Sequence, residues 1–230
     1  MKLPDFKIRC SAIGQIMTNS RKKGELSKTA QSYIDTWIKE QIYSRRKVVS
    51  TKYMDKGNIV EDESIAFAGR ILNLELEKNQ LHFDDDYMTG TPDVITDDYV
   101  FDLKNSWDCF TFPLFYDDVP NKDYFYQAQG YMALTGLHHY KLIYTLMDTP
   151  DSLIENEFKF SSQLDFDTFA ADYRYSNIDD AYRIRIFEIE RDDEIIAAIY
   201  ERVKECREYI NKLILPYSCY LLSNENTKSN

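Results

Sequence analysis

The sequence predicts a single domain of α/β (α+β) type, and three observations carry that prediction. At 230 residues, with 43% hydrophobic and 14% aromatic content, the chain can bury a core without disulfide or metal staples. From Met88 to Trp107 it holds a strand–turn–strand, with Val94-Ile95 and Tyr99 to Leu103 as β-branched and aromatic runs around Asp97-Asp98. On either side of this hairpin, apolar residues recur at helical spacing, as in Ala30, Tyr33, Ile34, Trp37, Ile38 and again in Ile195, Ile199, Val203, Cys206, Ile210. No repeat, low-complexity tract or interdomain linker divides the chain. Residues 1–222 read as one domain, with a basic helical part over 1–56 and a long helix over 192–214. The polar tail from Ser223 is expected to be disordered.

Composition excludes several classes. No apolar run approaches the roughly 18 residues that span a bilayer. The opening Met-Lys-Leu-Pro-Asp does not read as a signal peptide. Cys10, Cys109, Cys206 and Cys219 are scattered without CxxC spacing, which points to reduced thiols in a cytoplasmic protein and away from zinc or iron–sulfur sites. The net charge is −11, yet residues 1–60 hold 13 Lys and Arg against 5 Asp and Glu, a net of +8 that leaves −19 for the rest. Such asymmetry is the footprint of a basic face for a polyanion, or of a solvated basic helix.

In chain order, Phe6 to Arg9 is a short extended entry, and Ser11 is placed to cap a short helix through Ile16 and Met17. Asn19 to Gly24 is a loop carrying Arg21, Lys22 and Lys23. A helix from Ser27 ends near Arg45, Arg46 and Lys47, cations that suit a helix C-terminus. Val48 to Tyr53 reads as linker or strand. The next helix opens at Gly57-Asn58 and runs to Ile71 or Leu72, with Asn58 and Glu61 spaced as a capping box. Leu74 to Phe83 is read as a strand into the hairpin. Beyond it, Trp107, Phe110, Phe112, Phe115 and Tyr116 suit core and a covering loop. Asn121 caps a helix stopped by Gly136, with Tyr124, Gln127 and Tyr131 on one face and Phe125, Ala128 and Met132 on the face toward the sheet. His138-His139 lead into a strand over 140–146 and read as structural. A helix over 166–173 and a strand over 182–189 follow. The last helix opens at Asp192 and ends before Pro216, its apolar stripe serving core packing or a subunit contact.

The hairpin carries the chemistry. With a two-residue turn at Asp97-Asp98, Thr96 pairs with Tyr99, Ile95 with Val100 and Asp93 with Asp102. Alternation then puts Asp93, Asp102 and Lys104 on one face, opposite Phe101 and Leu103. Facing carboxylates about 5 Å apart repel unless a hard divalent cation lies between them. The neighbouring Lys104 ammonium can orient or deprotonate an attacking water. That is the equipment of metal-assisted phosphodiester hydrolysis.

Pro92-Asp93, eight residues, then Asp102-Leu103-Lys104 resembles the signature of the PD-(D/E)xK nuclease superfamily. Gly57-x-x-x-Glu61 before it and Gln127-x-x-x-Tyr131 after it resemble the flanking motifs of λ-exonuclease-like, YqaJ-like and RecB-like nucleases. The resemblance implies a restriction-endonuclease-like core, a central mixed sheet flanked by helices. It implies Mg2+ or Mn2+, as two ions, held by Asp93, Asp102, the Leu103 carbonyl and Glu61, with Glu63 the alternative to Glu61. Lys104 would assist the attacking water, Gln127 would position it or hold Lys104, and Tyr131 would meet a phosphate or a base. Arg9 to Gly14 resembles the family's phosphate-binding segment, so Ser11 and Thr91 fall where the family holds a DNA 5′-phosphate. The partnering arginine has no clear match among Lys2, Lys7 and Arg9. Some cousins carry an iron–sulfur cluster; Cys206 and Cys219 lack that spacing, and none is expected here.

The function so implied is a metal-dependent deoxyribonuclease acting on linear duplex DNA. An exonuclease of phage-type recombination or end processing is favoured over an endonuclease. The resemblance also implies a ring-shaped homo-oligomer and a single-strand annealing protein as partners, and no membrane. The contrasting class is a non-catalytic DNA-binding subunit on the same fold. The clusters Arg21-Lys22-Lys23 and Arg45-Arg46-Lys47 are the expected DNA contacts in either case.

Overall fold

A computed structural model describes residues 3–162 and 165–226, with side chains to residue 216. Its strands form the central mixed sheet that the sequence predicts and a second, smaller mixed sheet beside it. The smaller joins β1 (Ile8–Arg9) in parallel to β3 (Met88–Gly90), with β2 (Phe83–Asp84) antiparallel on the far side. The larger runs β4 (Val94–Ile95), β5 (Tyr99–Asn105), β6 (His139–Thr145), β7 (Ile184–Glu190). The split falls between β3 and β4 at Thr91-Pro92-Asp93, where proline offers no N–H to a ladder.

The hairpin β4–β5 has the expected register, Val94 opposite Phe101 and Ile95 opposite Val100. Strands β5 and β6 are parallel and need a crossover, which α4 (Lys122–Thr135) supplies. Asn121 caps α4 by accepting from the Asp123 N–H, and Gly136 ends it at φ 76°, both as the sequence predicts. One face of the sheet packs on α3 (Lys52–Leu72) through Ile65, Ala68, Phe101, Leu103 and Ile143. The other face, with Val100, Tyr140, Leu142 and Phe187, joins the main core of α4, α1 (Ile13–Ile16), α2 (Lys28–Tyr43) and α7 (Asp193–Asn226). Helix α4 is buried from Tyr126 to Met132, because α1 and the 3-10 turn at Cys10–Ala12 cover its outer side. Two short helices, α5 (Asp151–Phe158) and α6 (Phe166–Ala171), stand near the N-terminal end of α3.

Several boundaries differ from expectation. Helix α3 begins at Lys52, capped by Thr51, whose side chain accepts from the Met54 N–H. Gly57 and Asn58 therefore lie inside it, and the Asn58–Glu61 capping box does not form. Ser11 caps nothing, for it sits within the 3-10 turn, and the caps there make no side-chain bond. Leu74 to Phe83 is not a strand; one bridge, Lys78 to Val94, precedes β2. Helix α7 runs through Pro216 to Asn226, where the sequence suggests a stop and a disordered tail from Ser223. Residues 227–230 of that tail lie outside the described residues. The stripe Ile199, Val203, Cys206 and Ile210 is spent on the chain's own core. In the aromatic segment after β5, Trp107 and Phe112 are buried but Phe110, Phe115 and Tyr116 stand in solvent, so two of its five aromatic residues cover the core. No described helix is long and apolar enough to cross a membrane.

Candidate active site

The hairpin register, carried one pair further, sets Asp93 opposite Asp102. Lys104 is on the same side, its ammonium in contact with Oδ2 of Asp102, while Phe101 and Leu103 are buried against α3. Asp102 is 1% exposed. Its Oδ1 accepts from Nε2 of Gln127 at 2.7 Å. Its Oδ2 forms an ion pair with the Lys104 ammonium and has no other protein partner. Asp93 reaches back along the hairpin, and its Oδ2 accepts from the Leu103 N–H at 2.8 Å.

Two carboxylates in this setting cannot both hold a charge cheaply. Burial first, then the negative charge of Asp102, push the Asp93 carboxyl up to about 7, although Lys104 and the Leu103 N–H pull the other way. For Lys104, burial alone would favour the neutral amine. Asp102 and Asp93 outweigh it, and the net shift is upward. Lys104 is therefore a firm cation, further held over the Tyr124 ring at 4.9 Å. It is equipped to orient water or phosphate rather than to take a proton from either.

Helix α4 braces this arrangement. The sequence assigns Gln127 to a water or to Lys104, but its amide is engaged with Asp102. It assigns Tyr131 to DNA. That residue is 6% exposed, and its hydroxyl donates to the Thr91 carbonyl at 3.1 Å, so it is a strut under the strand that delivers Asp93. Gly90 makes that strut possible: a Cβ there would lie 2.6 Å from Cε1 of Tyr131. The Thr91 hydroxyl faces solvent and bonds Nδ1 of His82 at 2.9 Å, while Nε2 of the same ring bonds the Thr89 hydroxyl at 2.8 Å. Ser11 is exposed on the 3-10 turn, whose Cys10 packs against Gly90. The segments carrying Ser11 and Thr91 thus run side by side.

Glu61 stands on α3 and lines, with Asp93, Leu103 and Lys104, a cavity of about 430 Å3. It is not gathered with the aspartates: Lys78 binds its carboxylate at 2.6 Å, and among the described residues no three His, Cys, Asp or Glu side chains are grouped to hold a metal. Direct ligation by Glu61 would require it to leave Lys78. Glu63 points into solvent and offers no substitute. The donor set still fits a hard cation. Asp93, Asp102 and the Leu103 carbonyl supply oxygen, the two carboxylates repel each other, and Oδ2 of Asp102 has no protein partner but the Lys104 ammonium. Neither basic cluster lines this cavity. Arg21, Lys22 and Lys23 occupy an exposed turn, with Lys22 3.6 Å from Glu25, and Arg45, Arg46 and Lys47 follow the end of α2 in solvent.

Sequence reasoning misses Lys78, His82 and Gln129. The last is fully buried and donates to the Glu190 carbonyl while accepting from the Asp192 N–H, so it pins α4 to the end of β7. None of the three has a local signal, since each acquires its partner from elsewhere in the chain.

The sheet order and crossover give the chain a fold shared with exonucleases of known structure. Among solved structures it is similar to a phage related exonuclease from Haemophilus somnus 129PT, at 28% identity and TM-score 0.81, over 93% of this chain and 97% of that one. An alkaline exonuclease from Laribacter hongkongensis shares the fold at 17% identity and TM-score 0.65, over 97% and 95% of the two chains. The same exonuclease in complex with dAMP superposes at TM-score 0.64, with 17% identity and 92% and 94% coverage. No family model matches the sequence, and no curated protein matches it either.

Proposed function

We propose that the protein is a divalent-metal-dependent DNA exonuclease that loads at the ends of linear duplex. The observation that carries this reading is the facing pair Asp93 and Asp102, with the Lys104 cation paired to Oδ2 of Asp102. The likeness to the Haemophilus somnus exonuclease supports it over an endonuclease. Asp93, Asp102 and the Leu103 carbonyl would hold the cation, Mg2+ or Mn2+, and Glu61, released from Lys78, would join them for a second ion. The ion supplies Lewis-acid activation of the phosphate and the attacking water.

The chain's own groups do the rest. Gln127 fixes the Asp102 carboxylate through its Oδ1. Lys104 orients the nucleophile and offsets charge on the phosphate. Tyr131 holds the Thr91–Asp93 segment in place from below. Ser11 and Thr91 present hydroxyls on adjacent segments, donors suited to a terminal phosphate beside Asp93. An enzyme built this way must start at an end.

It should degrade 5′-phosphorylated linear duplex, spare covalently closed circles and slow on 5′-hydroxyl ends. Ser11→Ala should erase that end preference more than it lowers cleavage of the 5′-hydroxyl substrate. Rapid nicking of closed circular plasmid would replace the exonuclease with an endonuclease on the same fold.

A further inference from the structure

Helix α3 turns a buried stripe toward the ends of β5 and β6, and Lys56, Val60 and Ser64 stand on it one helical turn apart. A lysine in that position needs hydrogen-bond partners, because an unpaired buried charge is costly. Lys56 is fully buried, and two carbonyls serve it: its ammonium donates to Met147 at 2.7 Å and to Trp107 at 3.0 Å. The Tyr175 ring centroid lies 5.8 Å from the same nitrogen. Trp107 is a junction in its own right. Its carbonyl also accepts from the Thr149 hydroxyl at 3.1 Å. Its ring meets Tyr53 and Tyr173 edge-on, with the Lys52 ammonium 4.6 Å from its centroid.

These bonds join two walls of the catalytic cavity. Tyr53, Met54, Gly57 and Glu61 of α3 line one of them, and Lys104 to Trp107, from the end of β5 onward, line another. Two turns along α3 from Lys56, a second polar tie closes the same gap. The Ser64 hydroxyl bonds the side-chain oxygen of Asn105, which also accepts from the Thr145 hydroxyl at 2.7 Å. Glu61 stands between the two ties. With α3 pinned on both sides of it, the Glu61 carboxylate reaches the aspartates by turning its own side chain away from Lys78, not by a shift of the helix.

We propose that Lys56 is a positioning residue of the candidate active site: by joining α3 to the ends of β5 and β6, it fixes where Glu61 stands relative to Asp93 and Asp102. The inference rests on the exonuclease reading for the role of Glu61 at a second ion, and the tie itself is tested without DNA. The tie also responds to pH. Burial pulls the Lys56 ammonium down to about 8, against Asp108 and Asp148, which favour the cation. The other titratable groups around it are Tyr175, and Lys52, Tyr53 and Tyr173 about the Trp107 ring. A neutral amine keeps two N–H donors for the two carbonyls, but its bonds lose the assistance of charge and weaken by roughly half.

Two measurements on the full chain test it. The sequence has two tryptophans, so Trp37→Phe leaves Trp107 as the sole reporter. In that background, in EDTA, Trp107 emission should step with a midpoint near pH 8 as Lys56 loses its proton, and Lys56→Met should abolish the step. The second is Mn2+ binding, followed by the paramagnetic resonance of the free ion. The parent should take two ions. Lys56→Met should hold the first, on the aspartates, within about twofold of the parent and weaken the second about 10-fold or more, the scale of a lost support behind a ligand. Ser64→Ala, on the other side of Glu61, should show the same selective loss, and it stands in should Lys56→Met lose helix content. Both ions unchanged in the two variants, equal weakening of both ions, or emission flat across pH 8 in the Trp37→Phe parent overturns the proposal. A parent that binds no Mn2+, yet shows the Trp107 step that Lys56→Met removes, would overturn the exonuclease reading and leave Lys56 joining the cavity walls.

Discussion

Replacing Asp93 with asparagine should stabilise the metal-free protein while destroying its activity. The Asp93 carboxyl is raised from 3.8 to about 7, chiefly by burial and then by Asp102. A tenfold change in proton affinity is worth about 1.4 kcal/mol, so ionising this group costs the fold up to about 4 kcal/mol. Solvent at the cavity mouth and the bond from the Leu103 N–H, which an amide oxygen also accepts, reduce that to roughly 2–3 kcal/mol. The shift is upward, so the folded state holds the proton more tightly than the unfolded chain does. Its contribution is full below about pH 4 and is lost as pH rises through 7. Asp93→Asn should therefore exceed the parent in stability by about 2–3 kcal/mol at pH 8, and by less than half of that at pH 5. Urea unfolding in EDTA at the two pH values measures both gaps. Millimolar Mg2+ should then raise the parent and leave the variant unmoved, because only the intact pair binds it. A variant less stable than the parent at pH 8, or a gap that does not change with pH, would refute the electrostatic reasoning.

Two other perturbations probe the frame around the pair. Gln127→Ala removes the donor that holds Oδ1 of Asp102, and should lower kcat on linear duplex or raise the Mg2+ requirement by about 10- to 100-fold, with the fold intact by circular dichroism. Gly90→Ala drives a Cβ to 2.6 Å from a buried Tyr131 ring that cannot swing away; it should cost about 1–3 kcal/mol in urea unfolding and reduce activity, since Tyr131 positions the segment leading to Asp93.

The hairpin is legible in the sequence because its information is local. A two-residue turn and a period of two fix which side chains face each other, and Asp93, Asp102 and Lys104 fall together once Asp97-Asp98 is recognised as the turn. Helix α4 is legible for the same reason, with Asn121 and Gly136 marking its ends. Helix α3 misleads because Gly57 and Asn58 look like a start, whereas tertiary packing carries the helix across them from Thr51. Lys56 in that added turn is fully buried, its ammonium donating to the Trp107 and Met147 carbonyls, a satisfaction that no local pattern announces. Gln127 and Tyr131 stand out correctly as a pair on one helix face, but the protein groups that claim them, Asp102 and Thr91, come from other elements. Glu61 shows the same limit: its spacing before the hairpin is visible, and its partner Lys78 is not.

The central claim is that Asp93 and Asp102 hold a divalent cation that cuts DNA with the help of Lys104. Its most direct measurement is the release of nucleotides from linear duplex as Mg2+ or Mn2+ is titrated, for the parent, Asp102→Asn and Lys104→Ala. Turnover should rise from zero with metal in the parent alone. Asp102→Asn should bind DNA without cutting it, and Lys104→Ala should keep its metal affinity while losing turnover. Full cleavage in excess EDTA, or undiminished turnover by Asp102→Asn, would contradict the claim.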